Sequence, residues 1–87
     1  MLHEHPTLVG GIDDSAYVSE SWASEMGDGR WEAWILFVPI STGRARRTDR
    51  ETIQTNRAGI QYWASGVTSI YLQGAFARSR PARVTVA

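Results

Sequence analysis

Two runs, AYVSESWASEM and RWEAWILFVP, flank the turn-forming triplet GDG between Ala16 and Pro39. The second run is almost continuously apolar, as in a strand covered on both faces, and not alternating as in a half-buried strand. Asp28-Gly29 is a strong signal for a two-residue type I′ turn. The pattern predicts a β-hairpin over 16–39 in which Met26 pairs with Trp31, Ser24 with Ala33, Trp22 with Ile35 and Glu20 with Phe37. One face would then carry Val18, Trp22, Met26, Trp31, Ile35 and Phe37, with Glu20 near its end. The other would set Tyr17, Ser19, Ser21 and Ala23 against Trp34, Leu36 and Val38. One face should meet helices. The other needs a cover, and the candidates are a second copy of the chain, the N-terminal arm or a second helix.

Residues 48–65 read as the longer of two helices. Thr48 and Glu51 have capping-box spacing, and Gly66 is placed to end the helix. At 100° per residue, Ile53, Asn56, Ile60, Trp63, Ala64 and Val67 share a stripe, with Arg57 at its edge. Residues 68–79 fit a second helix capped by Thr68, with Leu72, Ala75, Phe76 and Ser79 inward. The alternation of Ile70, Leu72, Gly74 and Phe76 also fits a strand, but Ala, Leu, Gln and Arg favour helix. Residues 1–13 read as an irregular arm, and an edge strand at TLVGGI is the less favoured alternative. Pro81 disfavours helix at Arg80, leaving 80–87 as a tail or edge strand. The expected fold class is α+β: an antiparallel hairpin, alone or extended to three or four strands, packed on one long and one short helix.

The length of 87 residues predicts one small domain, and the absence of cysteine excludes disulfides and thiolate zinc sites. At 43 % apolar residues with four tryptophans, the composition is that of a folded chain. The longest apolar run, AWILFVPI, is eight residues, far short of the ~20 that span a bilayer. MLHEHPTLVGG lacks the basic start and apolar segment of a signal peptide, so the expected location is cytoplasmic and no membrane partner is expected. Net charge is zero but polarised. Residues 1–43 carry seven acids and one arginine, residues 44–87 two acids and eight arginines, and there is no lysine. Halves of opposite sign are suited to pairing within the fold or between copies.

The segment STGRARRTDRE concentrates Arg44, Arg46, Arg47 and Arg50 ahead of the expected helix start. A helix N-terminus with arginines nearby is a favourable anion site. Asp49 and Glu51 in the same turn oppose that, as does the zero net charge, which is unlike nucleic-acid-binding domains. An internally paired or solvated loop is therefore preferred over a phosphate or nucleic-acid site formed by these arginines with Arg57. Arg78, Arg80 and Arg83 in RSRPAR would extend such a site only if the tail lay beside the loop.

Three tryptophans fall on hairpin positions and one on the helix stripe, where aromatics serve cores. Trp34, on the less certainly covered face, is the exception and the expected interface anchor, with Leu36 and Val38 beside it. His3 at position three suits square-planar Cu(II) or Ni(II) binding at a free N-terminus, but the signal is weak, and no metal or cofactor is expected. No nucleophile–base–orienter set can be assembled, so catalysis ranks below binding. The expectation is a non-catalytic binding or adaptor module that forms a dimer or meets another protein. Nucleic acid is the alternative partner, and a small enzyme using Arg57 in a cleft ranks third.

Overall fold

The pairing of Ser21 with Ile35, one residue out of step with the expected register, organises the chain. The structure is a computed structural model that describes residues 1–10, 16–41 and 43–82. Strands β1 (His3–Gly10), β2 (Ala16–Glu25) and β3 (Trp31–Pro39) are followed by the short β4 (Arg46–Arg47) and β5 (Thr52–Gln54). Helices α1 (Arg57–Ser65) and α2 (Ser69–Arg78) come next, and β6 (Arg80–Pro81) follows them. The fold is α+β. Its antiparallel sheet has six strands among the described residues, in the order β1-β2-β3-β4-β6, with β5 pairing the start of β3.

The hairpin forms where the sequence places it, but its turn differs. Met26 N–H donates to Arg30 C=O at 2.9 Å, closing a three-residue loop of Gly27, Asp28 and Gly29. Gly27 and Gly29 both sit at φ +87°, which only glycine adopts without strain. The Asp28 carboxylate accepts from Arg30 N–H at 3.1 Å and from Arg30 Nε at 2.8 Å. The extra loop residue slips the register by one, and in a strand a slip of one moves every side chain to the opposite face. Tyr17, Ser19, Ser21 and Ala23 therefore share a face with Trp31, Ala33, Ile35 and Phe37, while Val18, Glu20 and Trp22 lie with Leu36, Val38 and Trp34.

The helices pack on the first of these faces. The core joins Val9 of β1, Ile35 and Phe37 of β3, and Leu72 and Ala75 of α2, with Tyr17, Trp63, Val67 and Phe76 packed around them. Phe76 meets Phe37 edge-on at 5.1 Å between centroids and Tyr17 at 4.9 Å. Since α2 contacts residues of β1 and β3, it crosses β2 between them. There Ser19 and Ser21 are fully buried, and their small side chains let the helix approach. Ser21 Oγ bonds His5 Nε2 at 2.7 Å, whereas Ser19 Oγ has no partner among the described residues.

Three other expectations are corrected. Within the expected irregular arm, residues 3–10 form β1, which takes in the first part of the less favoured edge strand at TLVGGI; Pro6 is tolerated there because β1 is an edge strand among the described residues, and the pairing shifts register between His5 and Val9. The helix expected over 48–65 occupies only 57–65, so neither helix is long. Thr48 does not cap it. Its Oγ1 accepts from Ile35 N–H and its own N–H donates to Ile35 C=O, both at 3.0 Å. Thr52 and Ile53, β-branched, join β5. The cap is Asn56, whose Oδ1 accepts from Gly59 N–H at 2.8 Å, and Gly66 ends the helix as expected. The second helix spans 69–78 with Thr68 as its cap and Leu72, Ala75 and Ser79 buried. Arg80 and Pro81 form β6 beside β4, while the expected closing strand at VTVA lies outside the described residues.

Two substitutions test this account. Ser19→Leu places a large side chain under α2 and should destabilise the fold by about 1–3 kcal/mol in urea unfolding, whereas Ser19→Ala should be neutral or stabilising. The reverse ranking would show Ser19 on the uncovered face. Thr48→Val keeps the shape but leaves Ile35 N–H unpaired, and should cost about 1–3 kcal/mol in the same measurement.

Candidate functional site

The sheet face away from the helices is built by the even-numbered residues of β2 and β3. Val18 lies opposite Val38, Trp22 opposite Trp34, and Leu36 next to both. All five are half-buried by one another, and neither helix packs over them. Ile53, opposite Glu32, extends the face along β5. The sequence-predicted interface residues Trp34, Leu36 and Val38 are thus brought together. Trp22 and Val18 join them, although the expected register had assigned both to the core side. Only the loop length would have revealed their place, because alternation fixes which residues share a face but not which face a strand presents.

Polar groups frame the apolar strip. Arg47 extends its guanidinium over the Trp34 ring at 4.6 Å and donates from Nε to Thr48 C=O at 3.1 Å. Glu20 accepts from Trp22 Nε1 at 2.9 Å. Arg80 pairs with Asp49 at 2.6 Å, and Arg50 reaches Glu32 at 3.5 Å.

The arginine cluster does not precede a helix N-terminus. Arg46 and Arg47 are β4, and their side chains point to opposite faces of the sheet, as successive strand residues must. Arg46 turns to the helix side, where Nε donates to Ser79 Oγ at 2.9 Å and Nη2 to Ser79 C=O at 2.5 Å. It therefore sits at the C-terminal end of α2, the end that favours a cation. Arg44 is exposed, and Arg57 opens α1 some distance along the chain. Among the described residues, three of the four clustered arginines thus have protein partners, and Arg46 and Arg47 lie on opposite faces of the sheet.

Arg78, from the tail group, holds Glu51. Its guanidinium donates to both carboxylate oxygens at 2.8–3.0 Å, and the Tyr71 hydroxyl donates to the same carboxylate. Burial pushes the Glu51 carboxyl up, but the bonds from Arg78 and Tyr71 outweigh it and hold the group below its ordinary range. Burial and the neighbouring carboxylate raise Tyr71 in turn. The cluster ties α2 to the segment between β4 and β5. His5, buried against Ser21 with the His3 ring at 4.8 Å, is held below the ordinary histidine range by burial and by His3. No group of three or more metal-ligating side chains occurs among the described residues.

Two further hollows open on the surface formed by the described residues. One, of about 420 Å³, lies beside α1 between Gln54, Tyr62, Trp63, Val67 and Tyr71, and is aromatic with no acid or base lining it other than tyrosine. The other, of about 260 Å³, sets Arg57 beside Met1, Leu2, Ala23 and Trp31. Neither gathers the convergent titratable groups that chemistry would need. No helix among the described residues is long and apolar enough to cross a membrane. Comparison with family models, curated proteins and solved structures found no match to this chain.

The lowered Glu51 group has a pH consequence. Its stabilising contribution is complete above the unfolded-state value near 4.3 and is lost as pH falls through the lower folded-state value. Glu51→Gln should lower stability at pH 7 by on the order of 1–3 kcal/mol and flatten the decline below about pH 4.5, as read from urea midpoints across pH. An unchanged acid slope would assign that decline to other carboxylates.

Proposed function

We propose that this protein is a small non-catalytic binding module that works through the helix-free face of its sheet, with a second copy of the chain as occupant. The observation that carries this reading is the half-buried apolar strip of Val18, Trp22, Trp34, Leu36 and Val38, which no helix covers, on a sheet whose other face is already covered. Two-layer domains bury one face of the sheet and solvate the other, and the solvated face is normally polar. Here the opposite face is aliphatic and aromatic at its centre and charged at its rim, the composition of an interface. A twofold dimer is the commonest way to cover such a surface.

No observation favours the phosphate or nucleic-acid reading of Arg44, Arg46, Arg47, Arg50 and Arg57 over this one, because Arg46, Arg47 and Arg50 already serve Ser79, Trp34 and Glu32. The hollow beside Arg57, lined otherwise by Met1, Leu2, Ala23 and Trp31, brings no second titratable side chain to it and so gives an enzyme acting through Arg57 no specific support.

Sedimentation velocity over a range of protein concentrations tests the proposal. The chain should sediment as a dimer at micromolar concentration. Trp34→Asp, which places a charge in the apolar strip, should sediment as a folded monomer with unchanged far-ultraviolet circular dichroism. A folded Trp34→Asp variant that keeps the mass of the parent dimer would remove the face from the interface.

A further inference from the structure

One row of side chains crosses the helix-free face in register. Glu4 lies opposite Glu20, Glu20 opposite Leu36, Leu36 opposite Arg47, and Arg47 opposite Arg80. From β1 to β6 the row reads Glu, Glu, Leu, Arg, Arg. Like charges directly opposite on neighbouring strands are unfavourable, and this row holds two such pairs, of opposite sign, on either side of a leucine. The chain's charge polarity is thereby laid out in space as an acidic edge and a basic edge of one surface.

Contacts within the chain leave most of that polarity in place. Among the described residues there are four ion pairs, and three of them, Arg30–Asp28, Arg78–Glu51 and Arg80–Asp49, lie within one half of the sequence. Only Arg50–Glu32, exposed and at 3.5 Å, joins the acidic half to the basic half. Glu20 has a neutral donor, the Trp22 indole, and Arg47 a neutral ring, Trp34. Asp49 already pairs Arg80, whereas no carboxylate of the chain pairs Arg47 or Arg46 among the described residues.

We infer that the second copy docks with its twofold axis parallel to the strands and passing over Leu36. This rests on the self-association proposed above. A rotation about that axis lays each strand over the strand equally far from β3 on the other side. Glu20 then meets the partner's Arg47, Glu4 meets the partner's Arg80, and the two Leu36 side chains meet at the centre beside Trp22 and Trp34. The sheets pack face to face with aligned strands at a spacing of about 10 Å, a gap that glutamate and arginine reaching from opposite sides close. The other in-plane twofold, perpendicular to the strands, lays each strand over its own copy. Acid then faces acid and base faces base, which disfavours that arrangement strongly.

The test is a charge swap read by sedimentation, with circular dichroism confirming the fold of each variant. Glu20→Arg and Arg47→Glu, each alone, should raise the dimer dissociation constant about tenfold or more, because each creates two like-charge contacts across the axis. The double variant Glu20→Arg/Arg47→Glu restores opposite charges across the axis and should recover most of the lost affinity. A parent dimer that tolerates both single changes, or a double variant no tighter than the singles, would overturn the axis and leave the interface face standing. A parent chain that stays monomeric to hundreds of micromolar would overturn the self-association itself. If Glu20→Arg fails to fold, Glu20→Gln and Arg47→Gln provide the same comparison, each expected to weaken the dimer by a smaller factor than the reversals.

Discussion

The pairing of β2 with β3 is the constraint on which the rest of the molecule depends. Closing the hairpin with Gly27, Asp28 and Gly29 sets Ser21 opposite Ile35 and Ser19 opposite Phe37. The helix side then receives two small hydroxyl residues beside two large apolar ones. This relief of bulk lets α2 lie across β2 and reach Val9 on one side and Phe37 on the other. The same pairing sends Trp22 to the helix-free side, opposite Trp34. One loop residue thus decides both how the core is filled and what the opposite surface displays, because the side-chain period of a strand is two.

The segment between β3 and α1 is held by polar side chains acting as substitutes for ladder bonds. Between β4 and β5 the chain leaves β3, and Thr48 bridges the gap by taking Ile35 N–H on its hydroxyl. Glu51 N–H donates to Ala33 C=O at 2.8 Å, and its carboxylate is gripped by Tyr71 and Arg78 from α2. Arg46 closes the same region from the other end by capping α2 at Ser79. Arg46 and Arg78 are thus structural ties between sheet and helix. Removing Arg78 would leave the buried Glu51 carboxylate without its charge partner, which is the costly direction because the Arg78 guanidinium is itself half exposed.

Much of this was legible in the chain and some was not, for physical reasons that differ. The hairpin, the second helix with its Thr68 cap and the end of α1 at Gly66 follow from local rules of alternation, capping and helix termination. Trp34, Leu36 and Val38 share a face whatever the register, so their grouping was legible too. The identity of that face was not, because it hangs on one residue of loop length. Thr48-x-x-Glu51 satisfies the capping pattern, yet both side chains find better partners in the tertiary structure, Ile35 and Arg78. Long-range hydrogen bonds of this kind leave no periodic trace. Strand β1 escaped for the opposite reason: Pro6 and its polar neighbours suppress a strand signal that an edge position tolerates.

The state of Arg47 in the single chain bears on how the bare face would meet its copy. The guanidinium is already placed, resting on the Trp34 ring and tied through Nε to Thr48 C=O. An arginine held this way loses less rotational freedom on binding than one that must be ordered from solution, and such pre-organisation lowers the cost of association. The ring contact need not break when a carboxylate arrives, because the guanidinium has further N–H groups directed outward. Glu20 is restrained in the same manner by the Trp22 indole. The two tryptophans therefore have a double part on this surface. In the proposed dimer they would supply apolar area, and within the single chain they already hold Glu20 and Arg47 in place on this face.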